Sequence, residues 1–153
     1  MNKLLIAVLG FACLTVFGAF EGSDSTQCDT NALKDKSRKA MEPYKFDAAK
    51  LMKISARGSE YMKEIEVPLF AGENYRFVFN TEALKSSIGI DIYNKDKDSK
   101  HRKLLFSSKD AGTDKKEYVW EYSKSTKVYV DYIIPAGENG SFNGCLLFMV
   151  GYK

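Results

Sequence analysis

The chain has 153 residues and 17.2 kDa, enough for one domain. With 44% hydrophobic and 28% charged residues, 11 glycines and 3 prolines, it is neither a disordered tail, a collagen-like repeat nor a polytopic membrane protein. The 23 basic and 20 acidic side chains leave +3, too balanced to point to nucleic acid, and the lone histidine, His101, leaves little for nucleophilic catalysis or a Cys/His metal site.

Residues 1–18 read as a secretory leader. Lys3 supplies the positive start, and an apolar stretch runs from Leu4 to Phe17. No acidic residue precedes Glu21, and Gly18 offers the small side chain a peptidase needs. Membrane association is expected only through this leader, or through a lipid on Cys13, whose preceding Gly10 and Phe11 fit a lipid box poorly. Cleavage leaves two cysteines, Cys28 and Cys145. An exported chain meets an oxidising compartment, so this pair is expected to form a disulfide tying the start of the mature chain to its last strand.

Residues 19–49 read as an N-terminal tail and helix. The helix is predicted over 29–42, with Asp29 or Thr30 as cap and Pro43 as stop; Leu33, Ser37, Ala40 and Met41 fall near one face. Lys34, Lys36, Arg38 and Lys39 line the other face. That is a solvated surface, with an anionic partner or membrane as the functional alternative.

From residue 50 the period becomes two. Met52, Ile54 and Ala56 alternate with polar neighbours, as do Ile65, Val67 and Leu69, then Tyr75, Phe77 and Phe79, then Ile88, Ile90 and Ile92. A polar loop covers 94–102, a strand begins at Leu104, and 109–116 read as loop. Tyr118, Trp120 and Tyr122 alternate, as do Val128, Val130, Tyr132 and Ile134. Residues 145–150 are almost continuously apolar, the mark of a strand covered on both faces. About eight short strands joined by polar turns predict a mainly β fold over 50–153: an antiparallel β-sandwich of jelly-roll type with one N-terminal helix, a closed barrel being the alternative.

The string Glu66-Val67-Pro68-Leu69-Phe70-Ala71-Gly72-Glu73-Asn74-Tyr75-Arg76-Phe77 resembles the opening of pre-peptidase C-terminal (PPC) type modules, with their apolar strand, Ala-Gly-x-x-Tyr-x-Phe turn and second strand. The resemblance continues through Ile90-Asp91-Ile92-Tyr93-Asn94, Leu104-Leu105-Phe106-Ser107 and the strands around Trp120 and Val130. It spans about residues 64–134 and departs at the closing strand 144–152. The whole chain also resembles short exported bacterial proteins without assigned activity. These resemblances imply a β-sandwich accessory module without catalysis, and no catalytic residue carries over.

Two groups are candidate ligand-binding residues. Tyr118, Trp120 and Tyr122 point to one side of one strand; such a row stacks sugar rings on some modules and fills the core of others. Lys95, Lys97 and Arg102 belong to a basic loop that suits an anionic ligand, or simply solubility. Asn94-x-Asp96-x-Asp98, with Asp91 nearby, starts like a calcium loop, but Ser99 and Leu105 stand where glycine and the bidentate acid belong. Asn139-Gly140-Ser141 is a glycosylation sequon. The expectation is a secreted or periplasmic, non-enzymatic binding module without metal or cofactor, its partner a glycan or an envelope protein. The alternative is a structural or envelope-associated subunit packing on a partner protein, and a secreted hydrolase ranks third.

Overall fold

The computed structural model describes residues 28–112, 115–124, 126–137 and 143–153. The leader and the Asn139 sequon lie outside the described residues.

Helix α1 (Thr30–Met41) starts where Asp29 caps it: the Asp29 carboxylate accepts from the N–H groups of Asn31 and Ala32. Pro43 prevents its continuation. The strands follow in chain order: β1 (Lys45–Ser55), β2 (Tyr61–Pro68), β3 (Tyr75–Asn80), β4 (Gly89–Tyr93), β5 (Leu104–Ser107), β6 (Glu117–Tyr122), β7 (Lys127–Ile134) and β8 (Asn143–Tyr152).

They form two four-stranded antiparallel sheets, β1-β8-β3-β6 and β2-β7-β4-β5. β1 pairs with β8, β2 with β7, β3 with β6 and β4 with β5. That is one long antiparallel hairpin rolled up on itself, the jelly roll expected from the strand pattern. The rolling brings β8 beside β3 and β7 beside β4, so these four become the central strands. Their composition follows: β7 and β8 are the most apolar, while Pro68 sits on edge strand β2, where its missing N–H costs least.

The inner faces supply the core. Phe77, Phe79, Phe148 and Val150 from the first sheet meet Ile90, Ile92, Val130, Tyr132 and Ile134 from the second. Phe77 and Phe79 each stack on Phe148, with centroids at 5.9 and 5.1 Å. A second cluster lies outside the first sheet. There α1 sets Leu33 and Met41 on Val78, Leu147, Met149 and Cys145. This explains why 145–150 show no alternation: the inner residues face the other sheet and the outer ones face the helix. One polar pair crosses this seam, Asn80 Nδ2 donating to Ser37 Oγ at 2.8 Å. The Cys28–Cys145 disulfide, Cα atoms 5.5 Å apart, fastens the residue before α1 to β8.

Two boundaries differ from the sequence reading. β1 begins at Lys45 rather than residue 50, because a bulge between Phe46 and Ala48 shifts the register and hides the period of two. Ser108–Ala111, overlapping the stretch 109–116 read as loop, forms a single helical turn, α2, capped by Ser107; Ser108 Oγ accepts from Ile90 N–H. Four residues are too few to show a helical period.

Candidate functional site

Cross-strand pairing sets the aromatic row first. Tyr118 lies opposite Phe79, Trp120 opposite Phe77 and Tyr122 opposite Tyr75, so all three rings face between the sheets rather than outward. Tyr118 is buried and its hydroxyl donates to the Gly112 carbonyl. Trp120 and Tyr122 are half-buried, since β6 is an edge strand. Trp120 stacks on Tyr122 at 4.8 Å and also meets Phe77 and Phe106. The row is therefore part of the core margin, not a platform on an outer face.

The basic loop divides. Lys95 and Lys97 are exposed, and Lys97 pairs with Asp98 at 2.6 Å. Arg102 turns inward instead. Its guanidinium lies 3.6 Å from the Tyr93 ring centroid, donates to Asp131 at 2.9 Å and reaches Glu64 at 3.3 Å. Asp131 is only 2% exposed. Register explains the gathering: Glu64 lies opposite Asp131 on β2–β7, and Asp91 opposite Asp131 on β4–β7, so three acids form a row across the outer face of the second sheet. Burial pushes the Glu64 carboxyl above its ordinary range. A hydrogen bond with Asp131 and the charge of Asp131 add to this, against the Lys97 backbone and Arg102. Arg102 is thus the clamp that folds the 94–103 loop onto this face. The sequence reading missed Glu64 and Asp131 as its partners, although an acid inside the apolar run 128–134 was a usable signal.

The calcium-like acids are engaged in the turn itself. Asp96 accepts from the Asp98 N–H and the Ser99 hydroxyl, and Asn94 accepts from the Lys103 N–H. Those hydrogen bonds, the Ser99 hydroxyl first, lower the Asp96 carboxyl. Among the described residues no group of three or more His, Cys, Asp or Glu side chains is placed to hold a metal ion. His101 sits exposed on the same loop in the left-handed region, at φ 58°.

A concave site appears where the sequence reading placed none. A pocket of about 400 Å³ opens between α1 and the start of β1, lined by Lys34, Arg38, Met41, Glu42, Tyr44, Phe46 and Met149. Its floor is the seam between helix and sheet. Met41 can seat there because residue 151 is glycine: a Cβ would stand 2.6 Å from the Met41 sulfur and 2.5 Å from the Lys45 carbonyl oxygen. Tyr44 is buried between two cations, Arg76 and Lys153, each 4.3 Å from its ring centroid. Arg76 also donates to the carbonyls of Ala40 and Glu42 and pairs with Glu121. It thereby satisfies two of the carbonyls at the C-terminal end of α1. At the rim Phe46 remains 53% exposed, with the Lys34 ammonium 5.8 Å from its ring centroid. Met149 and Lys34 were each legible, as an apolar-strand residue and a helix-face cation. Their meeting is a product of tertiary packing.

No family model matches the chain, and no curated protein matches it.

Proposed function

We propose that this chain is a secreted or periplasmic, non-catalytic binding or accessory module, a PPC-like sandwich by resemblance, and that the α1–β1 pocket is where it binds. The pocket carries the reading. Its size lies within the roughly 300–1,000 Å³ common to small-molecule sites, and apolar walls with a few charged groups at the rim are what such sites need. The Cys28–Cys145 disulfide supports export, because such bonds persist in oxidising compartments.

The test is a binding screen of the oxidised protein against glycans, envelope proteins and small amphiphiles, repeated with Phe46→Ala and Trp120→Ala. Loss of binding in Phe46→Ala with an unchanged thermal melt is the expected result. Loss confined to Trp120→Ala with an intact fold would move the site to the β6 margin and favour a glycan.

A second reading, a structural or envelope-associated subunit, has one observation behind it. Phe70 is 78% exposed on the turn after β2, sharing a depression of about 280 Å³ with Asp47, Glu73, Tyr75 and Tyr152 beside edge strand β1. Phe70→Ser then abolishes capture of the partner protein while Phe46→Ala does not.

A further inference from the structure

We infer that the α1–β1 pocket takes a small anionic amphiphile: an acyl or aryl body ending in one carboxylate-like group. The inference rests on the pocket being the binding site and adds the chemistry of its occupant.

Charge on the helix points to the head group. Lys34 and Arg38 are four residues apart on α1, so their side chains project from the same stretch of its surface and both line the pocket. Like charges at that spacing repel and destabilise a helix. Asp35 answers Arg38 at 3.0 Å, yet among the described residues Lys34 forms no ion pair, its ammonium resting near the Phe46 ring. An anion placed between the two relieves the repulsion and accepts charge-assisted hydrogen bonds from both. Glu42 is the one acid in the lining, against two cations. The α1 carbonyls that would otherwise attract a cation are partly taken by Arg76.

The floor points to the body. Met41 and Met149 are both buried in the helix–sheet cluster and both line the pocket, and methionine side chains adapt to the shape of what covers them. Phe46 stands at the rim with half its surface in water, and an apolar chain laid on it would remove that surface from solvent. A neutral sugar would leave the charge of Lys34 and Arg38 unanswered. A second protein would need far more area than the pocket offers.

The experiment uses the disulfide-bonded protein with labelled methionine methyls and three amphiphiles of one chain length: decanoate, decanol and decyltrimethylammonium, each below its micelle concentration. Met52 in the core and Met62 on the second sheet serve as internal controls. Decanoate is expected to shift the Met41 and Met149 resonances and spare the controls. It should bind about tenfold more tightly than the ammonium compound. Lys34→Gln/Arg38→Gln should weaken decanoate by about tenfold and leave decanol unchanged. If all three amphiphiles bind equally, or the double variant keeps full decanoate affinity, the anion preference is wrong and the pocket reading survives. If none of them moves Met41 or Met149, both fall.

Discussion

The two outer faces of the sandwich solve the same problem with opposite chemistry. Each sheet presents a central strand whose outward side chains are shielded from water. On the first sheet α1 provides the shield, and the contact is apolar: Leu33 and Met41 against Val78, Leu147 and Met149. On the second sheet the 94–103 loop provides it, and the contact is ionic: Arg102 against Asp131 and Glu64, stacked on Tyr93. The apolar cover carries no buried charge that must be matched, and it leaves a pocket at its end. The ionic cover needs every charge in place, because a buried charge without its partner is costly. Among the described residues, three of the four buried side-chain atoms without a hydrogen-bond partner lie on the ionic face, Asp91 Oδ1, Asp131 Oδ1 and Arg102 Nε, and the fourth, the Tyr132 hydroxyl, lies in the core between the sheets.

The largest effect should come from freeing the helical cover. Replacing Cys28 and Cys145 together by serine opens a loop with a sequence separation of 117. On the loop-entropy model this costs roughly 4–5 kcal/mol, read from urea unfolding. Thiol labelling of denatured, unreduced protein should find neither Cys28 nor Cys145 free. On the ionic face, Arg102→Ala should cost about 3 kcal/mol, because it strands Asp131 in a buried site. Lys95→Ala, on the same loop but exposed, should stay within about 0.5 kcal/mol. Equal effects from the two would mean that the loop is not clamped by Arg102. A smaller loss, about 1 kcal/mol, is expected for Asp29→Ala, which removes the α1 cap while the disulfide still holds the helix start.

The smallest effect lies in the pH profile. The folded state holds Glu64 above its ordinary value of 4.5, mainly through burial, so folding favours its protonated form. Its contribution to stability is therefore full below that value and is lost as pH rises through the folded-state value. Glu64→Gln cannot ionise and retains a donor for Asp131. Urea midpoints measured from about pH 4 to about pH 8 should decline less with rising pH in the variant than in the parent. Parallel profiles would show that Glu64 and Asp131 share no proton. Glu66 and Glu121 act in the opposite direction. Lys127 lowers the Glu66 carboxyl and Arg76 the Glu121 carboxyl, so their contributions disappear as pH falls.

Local pattern carried much of the architecture. The alternation in 75–79, 90–92 and 128–134 placed inward and outward residues correctly, because a strand's side-chain period of two is a property of the backbone alone. The unbroken apolar run 145–150 announced a strand covered on both sides. Asp29 and Pro43 bounded α1, because caps and stops act within one turn. The even count of mature cysteines suggested the pairing found between Cys28 and Cys145. Tertiary structure alone decided which covers lie on which faces. Arg102 read the same as Lys95 and Lys97 until sheet register brought Glu64 and Asp131 under it. The Trp120 row was equally compatible with core and platform until β6 paired with β3. The pocket joins Lys34 and Arg38 to Phe46 and Met149, residues up to more than a hundred positions apart. No sequence window contains such a site. Its geometry depends on how a helix settles on a sheet, and that is set by packing between distant segments rather than by the preferences of any one of them.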